Sequence, residues 1–254
     1  MFLNQKKIIL GNWKMNQNLD QVRSFFEELE TFGDISQGIC PQAPYLSILE
    51  NIRPKIGNFL VGSQNISSEA SGAFTGETSI QTLSDFSSNF TLVGHSERRQ
   101  LFHENDELLI KKINLSMEHG VGVVFCIGET LEQRESNRVN EVLSAQLTNV
   151  LPKVQNLKPE LTCIAYEPVW AIGTGKTATA KQAVEAHRMV KSIISNSLPA
   201  KFSKTPILYG GSVKPSNAQE LLENPEISGA LIGGASLKAS DFNEISRIAA
   251  NIQA

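Results

Sequence analysis

Short apolar segments recur along the chain about every 30 residues, and each of them predicts a β-strand. Several are continuous rather than alternating, which indicates strands that are buried on both faces. The segments span residues 7–10, 38–40, 59–62, 90–94, 121–127, 161–166, 206–209 and 229–232. Helical apolar stripes lie between them, most clearly within residues 19–32, 139–150 and 183–194.

Eight strand–helix units without a break in composition predict one α/β domain over residues 1–254, folded as a (β/α)8 barrel. The main alternative is a doubly wound open sheet. Such a sheet rarely needs eight evenly spaced units in a chain of this length, so the barrel is favoured. In a barrel the chemistry lies at the carboxyl ends of the strands.

Composition mainly excludes other classes of protein. The net charge of −3 and the pI near 5.9 argue against a nucleic-acid partner. No apolar run approaches the roughly 20 residues of a membrane helix. Cys40, Cys126 and Cys163 lack CxxC spacing, so we expect buried apolar residues rather than disulfides or zinc ligands. A cytoplasmic protein fits these features.

Polar or glycine-rich residues follow five of the predicted strands. They are Asn12 and Lys14 after the first strand, His95 and Glu97 after the fourth, Glu167 after the sixth, Gly210, Gly211 and Ser212 after the seventh, and Gly233 and Gly234 after the eighth. If the barrel closes, all of them converge on one mouth.

Glu167 is followed by a glycine-bearing segment with an apolar middle and then by Thr179 and Gln182, which have capping-box spacing. This order indicates a strand, an acid, a flap and a helix. A carboxylate beneath a flap that excludes water suits a general base. The alternative is that Glu167 is one half of a salt bridge.

Two glycine pairs, Gly210-Gly211 and Gly233-Gly234, predict a phosphate site, because glycine lets backbone N–H groups approach an anion closely. The alternative is a pair of tight turns. His95 precedes a predicted helix start, where imidazolium is disfavoured and a neutral ring can donate to a carbonyl. It could otherwise be structural, as we expect of His103, His119 and His187. Lys14 could neutralise a phosphate or be a solvated lysine, and Glu97 could hold Lys14.

Residues 173–177, Gly-Thr-Gly-Lys-Thr, invite two nucleotide-binding interpretations that we reject. A P-loop would need glycine at position 170, which is Trp170. A relaxed dinucleotide fingerprint also fits here. Both motifs need a loop that leaves the strand directly, whereas residues 167–172 intervene.

Six separated motifs resemble the triosephosphate isomerase family from one end of the chain to the other. They are GNWKMN from Gly11, GHSERR from Gly94, CIGETL from Cys126, residues 165–177, YGGSV from Tyr209, and residues 229–236. The resemblance implies interconversion of dihydroxyacetone phosphate and glyceraldehyde 3-phosphate, in glycolysis and gluconeogenesis, without metal or cofactor.

The resemblance also implies a role for each site residue. Glu167 would be the base, His95 the neutral electrophile, Lys14 and Asn12 the groups that stabilise an enediolate, and Glu97 their support. Gly173, Ser212, Gly233 and Gly234 would bind the phosphate through the backbone. Residues 168–178 would form a lid that excludes water and so prevents loss of phosphate from the intermediate.

The family forms homodimers through the loop after the third strand, here residues 62–78 with its tip between Gly72 and Glu77. A homodimer is therefore implied, with this loop inserted beside the partner's site. Two departures from the family are visible. Gln17 stands where glycine is usual and would be strained if φ is positive there, and Ser136-Asn137 replaces a common Ala-Gly.

Two further classes of function remain to be weighed against an isomerase. Another phosphate-binding barrel, such as an aldolase or synthase, would commonly need a Schiff-base lysine inside a strand. Only Lys7 comes near that requirement, at the start of the first strand. A barrel kept only for binding or structure would lack Glu167, His95 or Lys14, and all three are present.

Overall fold

The computed structural model describes residues 1–49, 51, 57–172 and 178–252, and its strands close into a parallel barrel. The strands are β1 (Ile8–Asn12), β2 (Ser36–Cys40), β3 (Leu60–Ser63), β4 (Phe90–Val93), β5 (Gly122–Ile127), β6 (Thr162–Tyr166), β7 (Ile207–Tyr209) and β8 (Gly229–Ile232). Closure is made by β1 and β8, where Ile8 lies opposite Gly229. The predicted (β/α)8 barrel is confirmed, and the open sheet is excluded.

Helices surround this barrel, and side-chain caps explain where many of them begin. The described helices are α1 (Leu19–Glu28), α2 (Ile80–Asp85), α3 (Ser96–Leu101), α4 (Asp106–Glu118), α5 (Leu131–Glu135), α6 (Val139–Thr148), α7 (Ala180–Ser197), α8 (Pro215–Leu222) and α9 (Ala239–Asn251). The predicted capping box is present before α7, where Thr179 and Gln182 satisfy each other's backbone N–H groups. Short 3₁₀ turns follow β6 (Val169–Ala171) and β8 (Gly234–Leu237).

Two apolar layers hold the barrel together, one inside it and one between strands and helices. On β5, Val124 and Cys126 belong to the inner layer, whereas Val123, Phe125 and Ile127 belong to the outer one. Both faces of the strand are therefore buried, which is why its sequence is continuously apolar.

Nine of the sixteen predicted strand ends differ from the structure by one or two residues, and two of these differences lie at the mouth of the barrel. The first strand extends past Leu10 to Asn12 because Gly11 and Asn12 still pair with β2, and this carries Asn12 to the mouth of the barrel. The fourth strand ends at Val93, one residue earlier than predicted. Gly94 has φ of +76°, which breaks the extended backbone.

Cys40, Cys126 and Cys163 lie in the inner layer as free thiols. Burial raises the pKa of each of the three thiols. They pack as small apolar residues, as the sequence predicted.

His187, on α7, is a core residue. Its ring lies edge-on to Tyr166, and its Nδ1 is 2.8 Å from the carbonyl of Ala183. Burial lowers its pKa from 6.5 to about 4. The unfolded chain therefore binds a proton at this position more readily than the folded protein does.

We expect His187 to make the protein sensitive to acid. Its neutral form contributes fully to folding above pH 6.5, and that contribution is lost as the pH falls toward 4. The free energy of unfolding, measured with urea at pH 7 and pH 5, should fall by about 2 kcal/mol more in the wild type than in His187→Gln. An equal fall in both proteins would contradict the assignment.

Candidate active site

One cavity of about 880 Å³ opens at the carboxyl ends of the strands and gathers most of the residues that the sequence singled out. Its lining includes Asn12, Lys14, His95, Glu167, Gly210, Gly211, Ser212, Gly233 and Gly234. Glu97 reaches the site through its contact with Lys14. Gly173 and the rest of residues 173–177 lie outside the described part of the chain.

Glu167 is 2% exposed and directly follows β6. Its backbone N–H donates to the carbonyl of Ile127 at 2.7 Å, so the sheet hydrogen bonding continues past the end of the strand and fixes the residue. The carboxylate is held by the backbone N–H of Ser96, 3.0 Å from Oε2, and by His95 Nε2, 3.1 Å from Oε1. A carboxylate that accepts two such hydrogen bonds has a defined orientation.

His95 caps α3, and its contacts specify the tautomer of the ring. The backbone N–H of Glu97 donates to Nδ1 at 3.3 Å, so Nδ1 carries no proton. The remaining nitrogen, Nε2, is therefore the protonated one, and it donates to Glu167 Oε1. The ring is neutral, with its one N–H directed at the carboxylate.

Lys14 and Glu97 form an ion pair, with Lys14 Nζ 2.5 Å from Glu97 Oε1. The lysine backbone is left-handed, with φ of +52°, and its N–H donates to Asn12 Oδ1 at 3.0 Å. This turn directs the ammonium into the cavity while Glu97 holds it. Asn12 is 5% exposed.

The two glycine turns contribute in different ways. A methyl group at Gly210 would lie 2.8 Å from Glu167 Cγ, so only glycine leaves room for that side chain. A methyl group at Gly233 would have Lys14 Cε as its nearest neighbour, at 3.8 Å, and one at Gly234 would meet nothing within 4 Å. The second turn therefore borders open space beside the ammonium, where an anion fits.

Sequence reasoning missed the role of Glu129, which is fully buried after β5. Its Oε1 accepts hydrogen bonds from Tyr166 Oη at 3.0 Å, Trp170 Nε1 at 2.9 Å and Arg134 Nη1 at 2.7 Å. Its backbone carbonyl accepts from the N–H of Val169. Glu129 thus anchors the start of the segment after Glu167. Its position just past a strand end was the available signal.

The remaining sequence candidates lie elsewhere. Lys7 precedes β1, at the end of the barrel opposite the cavity, and its Nζ donates to the carbonyl of Ile227 at 2.7 Å. Burial lowers its pKa to about 8. A Schiff-base lysine of an aldolase-type barrel is therefore not formed by this residue. His103, His119 and His187 do not line the cavity.

The concern about Gln17 is confirmed, because its φ is +77°. A side chain in this left-handed region costs about 1–2 kcal/mol. At the other departure, Asn137 has φ of +57°, which asparagine tolerates better than most residues.

Among the described residues, no group of three or more His, Cys, Asp or Glu side chains is placed to hold a metal ion. The described helices include none with both the length and the apolarity needed to cross a membrane.

A closed (β/α)8 barrel with a carboxylate, a neutral imidazole and an ammonium around one cavity belongs to the barrel enzymes that move protons on small substrates. Comparison with known proteins makes this specific. Residues 7–249 match the family described as Triosephosphate isomerase. Similar relatives, all named triosephosphate isomerase, come from Clostridium novyi and Phocaeicola vulgatus. The first is 44% identical over 246 residues and the second 42% over 247, and each alignment covers 95% of this chain and 98% of the relative.

The chain belongs to the triosephosphate isomerase family. It is an isomerase that interconverts dihydroxyacetone phosphate and glyceraldehyde 3-phosphate, a step of glycolysis.

Proposed function

We propose that Glu167 is the base that moves a proton between the two carbons of the triose phosphate. The supporting observation is its buried carboxylate, held within hydrogen-bond distance of His95 inside the 880 Å³ cavity. One carboxylate that first removes the proton from one carbon and then returns it to the next needs no second base. Burial keeps water away from it during the transfer.

His95 is the electrophile in this proposal. Its Nε2–H donates to Glu167 Oε1 at 3.1 Å. A substrate carbonyl oxygen that takes over this N–H frees the carboxylate to approach the carbon. The same N–H then stabilises the oxygen as negative charge develops on it.

Lys14 and Asn12 stabilise the enediolate, and Glu97 positions Lys14 through the 2.5 Å ion pair. Lys14 Cε would be the nearest neighbour of a methyl group at Gly233, at 3.8 Å, so the ammonium is placed to share the charge of a phosphate bound there. Backbone N–H groups at Ser212, Gly233 and Gly234 bind the phosphate itself. Gly173 remains a proposed phosphate contact on the basis of the family resemblance alone.

The segment 168–178 closes over the site as a lid. Its described start is fixed by the hydrogen bonds from Val169 and Trp170 to Glu129, and residues 173–177 lie outside the described part of the chain. A closed lid retains the enediolate phosphate until it is reprotonated.

The reaction proceeds without metal or cofactor, because the cation, the acid and the base are all side chains. We expect full isomerase activity after exhaustive treatment with a chelator and gel filtration, measured in a coupled assay. A loss of activity that is restored by adding a divalent metal or a nucleotide would contradict this proposal.

The protein functions as a homodimer through the loop around Gly72 and Glu77. Large apolar side chains are exposed on segments after strands β1, β3 and β4. They are Met15, 88% exposed, Phe74, 47%, Leu101, 70%, and Phe102, 62%. The loop after β3 also contacts the site directly, since Gln64 donates to the carbonyl of Lys14 at 2.7 Å. Several large apolar side chains exposed on these segments support an interface.

We expect Phe74→Asp to separate the dimer, because a charge in an apolar contact has no partner there. Sedimentation velocity at micromolar concentration should give a monomer, and kcat/KM should fall by at least about tenfold as the loop loses its support. Leu131→Asp, at a 37% exposed position on α5, is the matched control and should stay dimeric. A monomeric wild type would refute the interface.

Residues 1–254 act as one catalytic domain, which the family match over 7–249 supports. A cytoplasmic location is supported by the glycolytic reaction and by the three unpaired thiols, which suit a reducing compartment.

A further inference from the structure

Gln17 lies in the loop between β1 and α1, a few residues after Lys14, with a strained backbone. Hydrogen bonds from neighbouring side chains fix this strained backbone conformation. Tyr45 Oη donates to the carbonyl of Gln17 at 3.2 Å, and Gln42 Nε2 donates to the carbonyl of Asn16 at 2.9 Å. A strained backbone conformation that several contacts fix in place tends to occur at functional sites.

The side chain of Gln17 reaches across to the other side of the mouth. Its Nε2 donates to the carbonyl of Leu237 at 2.8 Å. In the same loop, Trp13 Nε1 donates to the carbonyl of Ser236, also at 2.8 Å. Two side chains of the loop after β1 therefore bind consecutive carbonyls of the 3₁₀ turn after β8.

That turn runs from Gly234 to Leu237, and its first residues border the cavity beside Lys14. The last carbonyls of such a turn have no partner within it, and its first N–H groups are free to bind an anion. Holding the carbonyl end fixes the direction in which the N–H end points.

We propose that Gln17 is a positioning residue for substrate phosphate: it ties the Lys14 loop to the turn after β8 so that the ammonium and the backbone N–H groups of Gly233 and Gly234 face one anion. This inference rests on the proposal that those glycines bind the phosphate.

Two substitutions separate the backbone strain at Gln17 from the hydrogen bond of its side chain. Gln17→Gly removes the strain and the hydrogen bond together. Gln17→Met keeps the strain and nearly the same shape but has no N–H donor. If Gln17 only stabilised the loop, the affinity for phosphate would change in parallel with Tm. The Gln17→Gly variant, in which the backbone strain is removed, would then bind phosphate at least as well as Gln17→Met.

The experiment measures kcat and KM for glyceraldehyde 3-phosphate, the competitive inhibition constant of inorganic phosphate, and Tm, in both variants. We expect the inhibition constant and KM to rise about threefold to tenfold in both, as for a lost hydrogen bond, with kcat within about twofold of the wild type. The Tm of Gln17→Gly should be at or above that of Gln17→Met. Phosphate inhibition within twofold of the wild type in either variant would overturn the proposal.

Two further variants make the result specific. Asn156→Gly relieves another left-handed residue, with φ of +53°, in the segment that precedes β6 at the opposite end of the barrel. It should leave KM and phosphate inhibition unchanged, and a change in either would overturn the link between Gln17 and the site. Gly233→Ala tests the phosphate site itself and should weaken phosphate inhibition. If it does so while the Gln17 variants bind normally, only the role of Gln17 is wrong. If Gly233→Ala also binds normally, the phosphate site and the inference fall together.

Discussion

Glu167→Ala is expected to lower kcat by about 10³- to 10⁴-fold, the contribution of a positioned general base. KM should change little, because the proposed phosphate contacts come from the turns after β7 and β8 and not from the Glu167 carboxylate. The carboxylate is the one acidic side chain that lines the described cavity within reach of His95 Nε2. The measurement is the steady-state rate of isomerisation in both directions.

Glu167→Asp keeps the charge and retracts it by one methylene group. A displacement of about 1 Å at a reacting group costs on the order of 10²-fold in rate, so this variant should fall between the wild type and Glu167→Ala. Glu185→Ala, at an exposed position on α7, is the matched control and should have normal kinetics. Thermal unfolding should show that all three variants are folded. Turnover of Glu167→Ala within tenfold of the wild type would refute the assignment of the base.

Lys14→Met is expected to lower kcat/KM by about 10³-fold or more, because kcat falls and KM rises. Lys14 Cε would be the nearest neighbour of a methyl group at Gly233, so loss of the ammonium should weaken phosphate binding there and raise KM. It also removes a charge that opposes the enediolate, which costs about 10²- to 10³-fold in kcat. Methionine has similar length and apolar volume, so packing is retained.

The matched control for Lys14→Met is Lys111→Met. Lys111 also pairs with a glutamate, since its Nζ is 3.3 Å from Glu69 Oε1, but it lies on the surface at 61% exposure. Surface ion pairs contribute little, so activity and stability should be nearly unchanged. Glu97 is 41% exposed and can be solvated when Lys14 is lost, so the variant should fold. A decrease in kcat/KM of less than tenfold in Lys14→Met would contradict the role of Lys14.

The order and type of the elements could be predicted from the sequence because their causes are local. Strands buried on both faces need continuous apolar segments, and these mark all eight strands to within two residues at either end. The start of α7 could be predicted because Thr179 and Gln182 form its cap within one turn. The side chains after the strands could also be located, since a barrel puts those positions at one mouth.

The contacts that define the site could not be predicted, because they join distant parts of the chain. Ser96 meets Glu167 across 71 positions. Lys14 meets Glu97 across 83, and the sequence offered this contact only as one possible role of Glu97. The tautomer of His95 depends on a backbone N–H, and a pattern of residue types does not indicate which nitrogen it approaches. The carboxylate of Glu129 has three donors, two of them on β6 and the segment after it, so its importance emerges only in the folded chain.

Gln17 shows which properties of a residue can be predicted from the sequence and which depend on the tertiary structure. The sequence alone determined that a side chain stands where the family usually has glycine, and that a positive φ would strain it. Only the fold decided that φ is positive and that the side chain reaches Leu237, 220 positions away. The reason is that local propensities set the elements, whereas the closure of β1 on β8 sets which loops meet at the mouth.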